Sequence, residues 1–176
     1  MAGIDETLNF IPIRLAILTI SDRRTRADDT SGDVLIERIV QAGHEIAARE
    51  IVKDDIASIL KIIEVWIDDP LIDVIITTGG TGITGRDVTP EALAKVIEKD
   101  IPGFGECFRW LSYRSIGTST IQSRACAGVA KGTFIFALPG SPSACRDGWD
   151  EILKYQLDSR YRPCNFIELI PRLKEK

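Results

Sequence analysis

Several short stretches of the chain are apolar with little interruption. Arg14-Leu15-Ala16-Ile17-Leu18-Thr19-Ile20 is bounded by Ser21-Asp22, Ile72 to Thr78 runs directly into Gly79-Gly80-Thr81-Gly82, and Gly132 to Leu138 is broken by Pro139-Gly140. Such runs read as strands buried on both faces. His44 to Val52 supplies a further strand. Between these runs the period changes to that of a helix. Leu35, Ile36, Ile39 and Val40 recur at helical spacing and stop before Gly43, a natural C-terminal cap. Ile56, Ile59, Leu60, Ile63, Trp66 and Ile67 form a clean stripe that ends at Asp68-Asp69-Pro70, because proline disfavours helix in the residue before it. Thr89-Pro90 reads as an N-cap with proline at the first helical position, opening a helix through Leu93, Val96 and Ile97. A second helical piece runs from Phe104 through Phe108 and Leu111. Ser141-Pro142 starts a helix carrying Cys145, Trp149, Ile152 and Leu153. Gly117 to Lys131, rich in Ser, Thr, Gly and Ala, reads as short strands in a hairpin, and no clear pattern continues from Arg160. Strands alternating with helices predict an α/β fold of three layers, a mostly parallel sheet flanked by helices on both faces, with no linker dividing it.

Composition narrows the class. The 176 residues are 44% apolar and 27% charged, which is enough to build one core and far from the composition of disorder. A net charge of −4 with only small basic clusters, Arg23-Arg24-Thr25-Arg26 and Arg172-Leu173-Lys174, argues against a nucleic-acid surface. The first cluster follows a strand end and carries either a functional role or none beyond a solvated loop. No stretch approaches a membrane span, and Asp5 and Glu6 stand where a signal peptide would be apolar, so a cytoplasmic protein is expected. Cys107, Cys126, Cys145 and Cys164 form no CxxC pair and fit free thiols in a reducing compartment.

In an open parallel sheet, ligands bind beyond the carboxyl ends of the strands. Three loops qualify: Ser21-Asp22, Thr77 to Gly82, and Pro139-Gly140-Ser141. Gly79, Gly80 and Gly82 allow backbone amides to approach an anion, and the hydroxyls of Thr77, Thr78 and Thr81 add donors; the alternative is a plain tight turn. The loop fits neither a GxGxxG dinucleotide motif nor a P-loop with its following lysine. The helix start at Pro139-Gly140-Ser141 is a second anion candidate or a simple cap. Asp87, in Gly85-Arg86-Asp87-Val88-Thr89-Pro90, is a Mg²⁺ ligand candidate beside the presumed phosphate, or it simply favours the start of the following helix, and Arg86 is a candidate phosphate contact. Lys53-Asp54-Asp55 is a second carboxylate cluster at a strand end, or a helix cap. The lone His44 supports no histidine metal set and no triad, and reads as structural.

These residues resemble the MoaB/MogA family of molybdenum cofactor biosynthesis proteins, to which the gephyrin G domain is related. The resemblance rests on Leu18-Thr19-Ile20-Ser21-Asp22, Asp29-Thr30-Ser31-Gly32, Thr77 to Gly82, Arg86-Asp87-Val88-Thr89-Pro90-Glu91-Ala92, Pro102-Gly103-Phe104-Gly105, Ser123-Arg124 and Leu138-Pro139-Gly140-Ser141. It implies a molybdopterin-binding domain over residues 14–163, with an N-terminal extension over 1–13 and a tail over 164–176. It further implies a homotrimer or homohexamer that binds molybdopterin and ATP, contacts with other proteins of the pathway, and Mg²⁺-dependent transfer of AMP to the terminal phosphate of molybdopterin. The catalytic acids implied are Asp54 and Asp87, with Asp87 at the metal, although a one-residue slip would move the first to Asp55. Ser21, Asp22, Thr78, Gly79, Gly80, Thr81, Gly82, Pro139, Gly140 and Ser141 are the implied ligand-binding residues. Phe108 to Ser112 and Ile116 to Ala125 look specifically like the MoaB branch, some of whose members have an unclear catalytic role; a noncatalytic pterin-binding or partner-interaction protein is therefore the alternative.

Overall fold

A computed structural model describes residues 2–175; Met1 and Lys176, the outermost positions of the expected extension and tail, lie outside them. The first half of the chain forms β1 (Gly3–Ile4), β2 (Arg14–Ile20), α1 (Thr30–Gln41), β3 (Glu45–Val52), α2 (Ile56–Asp68), β4 (Val74–Thr78) and α3 (Thr89–Leu93). The second half forms β5 (Lys99–Asp100), α4 (Pro102–Ile116), β6 (Cys126–Ala130), β7 (Thr133–Leu138), α5 (Pro142–Gly148), α6 (Lys154–Gln156) and β8 (Tyr161–Arg162). A π-helical turn, Trp149–Leu153, joins α5 to α6.

Six strands form one sheet in the order β3-β2-β4-β7-β6-β5. The first four run parallel, β6 is antiparallel to β7, and β5 is antiparallel to β6. The uninterrupted apolar runs are explained by burial of both faces. Leu15 and Ile17 of β2, Ile76 of β4, and Phe134 and Phe136 of β7 pack with Leu35 and Ile39 of α1 and with Trp149. Their sequence neighbours Ala16, Leu18, Ile75, Ile135 and Ala137 point the other way, onto Ile59, Ile63 and Trp66 of α2 and Leu93 of α3. Each wholly buried Leu, Ile or Phe side chain contributes about 1.5–3 kcal/mol, so both layers are needed to hold the sheet. Ile13 and Ile167, flanking the sheet in sequence, join the first of these clusters, and β1 pairs with β8. Among the described residues no helix is long and apolar enough to cross a membrane.

Three local expectations change. Thr89 is not the cap of α3 but its first residue, with Val88 at the cap position. Its hydroxyl is drawn away to donate to the Gly79 carbonyl at 2.8 Å. The helix stops at Leu93, and Val96 and Ile97 follow in turns that both return to the Leu93 carbonyl. The stretch from Gly117 does not form a hairpin by itself. Gly117–Gln122 is a 3₁₀ turn folded back on α4, the Thr120 hydroxyl donating to the Arg109 carbonyl at 3.1 Å. Only Cys126–Ala130 is a strand, because there Ala127 and Val129 have a core to face, and its hairpin partner is β7.

Candidate functional site

The parallel strands present their carboxyl ends on one edge of the sheet. From β2 the chain crosses to β3 on one side, then to β4 on the other, so the strand order reverses between β2 and β4. Connections leaving in opposite directions open a crevice at such a point. The loops after β2, β4 and β7 surround a cavity there of about 350 Å³.

Ser21, Thr78, Gly79, Gly80, Thr81, Gly82, Pro139 and Gly140 all border this cavity, as does Asp87. The glycine loop is folded tightly. Gly79 adopts φ +108°, and a Cβ there would collide with the Ile20 carbonyl. Gly80, at φ +63°, has no room for one either, facing the Thr89 hydroxyl and lying 3.2 Å from Asp54 Oδ1 at the position a Cβ would take. The Gly79 amide continues the strand ladder by donating to the Leu138 carbonyl. Among the described residues the amides of Gly80 and Thr81 have no partner, which leaves them able to donate to a ligand. Of the expected hydroxyls, that of Thr78 is occupied by the Pro139 carbonyl at 3.1 Å. Thr77 is wholly buried, outside the cavity lining, with its hydroxyl unpartnered. Successive strand residues face opposite sides of the sheet, so Thr77 and Thr78 cannot serve one ligand.

Three other members of the expected set, Ser141, Asp22 and Asp54, stand apart from the lining. Ser141 caps α5, accepting the Ala144 amide at 3.2 Å. Asp22 lies beside the opening, where its amide donates to Asp54 Oδ2 at 3.0 Å and its carboxylate pairs with Arg86. Arg86, a candidate phosphate contact, is therefore held by a carboxylate. Adjacent Asp54 and Asp55 have different tasks: Asp55 caps α2 by accepting the Ser58 amide at 2.8 Å, while Asp54 faces Asp22 and the glycine loop. Partial burial, followed by the like charge of Asp22, raises the Asp54 pKa. Asp87 behaves oppositely. Burial opposes its ionisation, but the Thr84 hydroxyl and amide, at 2.6 and 2.9 Å, and the Gly82 amide more than offset this and hold its pKa low.

Several residues outside the expected set shape the site. Arg124 donates to the carbonyls of Gly82 and Asp87, both at 2.6 Å, pairs with Glu91, and gives its amide to the Thr81 carbonyl. It ties the glycine loop to the Asp87 loop. Arg24 and Ser31 also border the cavity, and against them lies the wholly buried Asp29. The Arg23 to Arg26 cluster and the Asp29 to Gly32 and Ser123-Arg124 segments carried signal in the sequence, but no periodicity says which side chain turns inward.

The fold and the cavity define an open-sheet α/β domain with a polar cavity at the strand carboxyl ends. A family model described as a probable molybdopterin binding domain matches residues 16–159. The chain is 51% identical over 157 residues to molybdenum cofactor biosynthesis protein B of Escherichia coli (strain K12), covering 89% of this chain and 92% of that one. Against the protein of the same name from Bacillus subtilis (strain 168) it is 42% identical, over 80% and 84% of the two chains. A crystal structure of a molybdenum cofactor biosynthesis protein B superposes with a TM-score of 0.81 at 42% identity, covering 84% of this chain and 92% of that one. The chain belongs to this molybdopterin-binding family of molybdenum cofactor biosynthesis proteins.

Proposed function

We propose that the protein binds molybdopterin and, with Mg-ATP, transfers AMP to its terminal phosphate. An oxygen of the pterin phosphate attacks the α-phosphorus of ATP, a P–O bond forms, the bond to the β-phosphate breaks, and pyrophosphate leaves. No protein nucleophile is required, so catalysis reduces to positioning and charge stabilisation. The observation that carries this reading is the juxtaposition, at one strand-end cavity, of free loop amides at Gly80 and Thr81 with Asp87, and the Asp54 carboxylate lying against Gly80 beside that lining.

Those carboxylates suit Mg²⁺. Among the described residues no group of three or more His, Cys, Asp or Glu side chains forms a dedicated metal cage. Mg²⁺ commonly takes only one or two carboxylates and completes its shell with water and substrate phosphates. Asp54, whose charge is disfavoured by burial and by Asp22, gains most from a nearby cation. When bound, the ion would neutralise nucleotide phosphate charge. Asp54 and Asp87 would hold it, while the loop amides orient the attacking phosphate.

One observation favours a noncatalytic pterin-binding role instead. The Asp87 carboxylate already accepts from the Thr84 amide and hydroxyl, as a carboxylate that only shapes a loop would. Incubating the purified protein with molybdopterin and Mg-ATP separates the two: adenylylated pterin is expected, and bound pterin without product would leave the binding role alone. The exposed apolar side chains Trp110, Tyr113, Ile116 and Ile121 support a homo-oligomer, which light scattering measures.

A further inference from the structure

We infer that Arg24 is the anion-binding side chain of the cavity, that a phosphoryl group is what it takes, and that buried Asp29 acts as its positioning residue. This rests on the reading of the cavity as a site for a phosphate-bearing ligand. Among the described residues Arg24 is the one cationic side chain that borders it. Its guanidinium lies across the β2 and β7 loops: Nη1 donates to Ser31 Oγ at 2.7 Å and Nη2 to the Gly140 carbonyl at 3.2 Å. Nη1 also donates to Thr30 Oγ1 at 3.5 Å; two N–H groups beyond these three bonds remain on the planar fork, among them Nε–H, which has no partner among the described residues, and that fork matches phosphate oxygens in pairs.

The guanidinium is fixed from behind. Asp29 Oδ2 accepts from the Thr19 hydroxyl and from Arg49, each at 2.8 Å, and Oδ1 accepts from the Gly32 amide at 3.0 Å and from the Ser31 hydroxyl at 3.3 Å. Arg24 Nη1 sits 3.6 Å from the same Oδ1. Arg49 is the close partner of Asp29, and Arg24 the looser one, so most of the Arg24 charge is left for a ligand. Ser31 links the two, accepting from Arg24 while donating to Asp29. The cavity is thereby polarised. Arg24 and Asp87 border it with opposite charges, so a phosphoryl group belongs toward Arg24, in the cavity that also offers the amides of Gly80 and Thr81.

Calorimetric titration of the full chain with inorganic pyrophosphate, at low ionic strength and without metal, tests this. Wild type is expected to bind saturably, Arg24→Gln about tenfold or more weakly, and Arg24→Lys in between, since a lysine keeps the charge but loses the fork. Asp29→Asn is expected to weaken binding in the wild-type background and to add nothing in the Arg24→Gln background, as required of a residue acting through Arg24. If Asp29→Asn fails to fold, Ser31→Ala, which breaks the link, takes its place. Equal affinity in wild type and Arg24→Gln, no saturable binding by wild type, or additive losses at the two positions would overturn the inference. Weakened pyrophosphate binding in Arg24→Gln, with no adenylylated pterin from wild type, would remove the adenylyltransferase reading and leave this one standing. Unchanged binding alongside an active wild type would do the reverse.

Discussion

Asp22 and Asp54 hold each other's backbone: the Asp22 amide donates to Asp54 Oδ2 at 3.0 Å, and the Asp54 amide reaches Asp22 Oδ1 at 3.4 Å. The pair stitches the loop after β2 to the loop after β3 at the edge of the cavity. Two carboxylates so placed repel, and partial burial together with that repulsion raises the Asp54 pKa. A folded-state carboxyl pKa above its unfolded value favours the protonated form, so the ionised group opposes folding at neutral pH.

Asp54→Asn is therefore expected to be at least as stable as wild type at pH 7, with the gain shrinking as pH falls into the carboxylate range. Adenylyl transfer should drop by orders of magnitude. Asp55→Ala should do the opposite, losing about 1 kcal/mol through its cap on α2 while keeping transfer. Denaturation curves and product assays on the two variants distinguish the neighbours, and a stable, fully active Asp54→Asn would exclude its role at the cation.

Arg124 offers a different handle, because it touches only loop carbonyls and Glu91. Hydrogen bonds from a charged donor contribute about 1.5–3 kcal/mol each. Arg124→Gln is expected to speed amide hydrogen exchange across residues 80–88, leave exchange in β2 and β7 unchanged, and weaken pterin binding about tenfold or more. Unaltered exchange in the loop would show that the clamp is unnecessary.

Gly80→Ala is expected to lower stability by about 1–3 kcal/mol, since the added carbon enters the space of the Thr89 hydroxyl and Asp54 from a left-handed backbone. Thr89→Ala in the same background should recover part of the loss by clearing that oxygen. A thermal melt of the double variant no better than that of Gly80→Ala would place the strain elsewhere.

His44 makes stability depend on pH. Burial, partly opposed by Asp158, lowers its pKa from 6.5 to about 4. It packs between the Phe10 and Trp149 rings, at centroid distances of 5.0 and 6.3 Å, and its Nδ1 accepts from the Ile13 amide at 3.3 Å. Below pH 6.5 the unfolded chain takes up a proton that the folded chain refuses until about pH 4, so stability falls as pH drops through that window. Chemical denaturation at stepped pH should show this slope in wild type and a shallower one in His44→Gln.

The hydrophobic pattern by itself determined the sheet's buried strands and the helices on its faces. Leu15 to Leu18 can be apolar throughout only where both sides are covered, and the stripe from Ile56 to Ile67 has one face to bury. The pattern also marked the loops where chemistry collects, because glycine and polar residues interrupt it there. Adjacent residues with the same chemistry were beyond its reach. Asp54 and Asp55 differ only in which way the chain turns after β3, and Thr77 and Thr78 only in which face of β4 they occupy. Thr89 reads as a cap until the Gly79 carbonyl, ten residues earlier, draws its hydroxyl away. Arg24 turns inward because Ser31 and buried Asp29 at the start of α1 and Gly140 after β7 converge on it from two segments. Tertiary structure alone decided these roles, since each depends on groups distant along the chain.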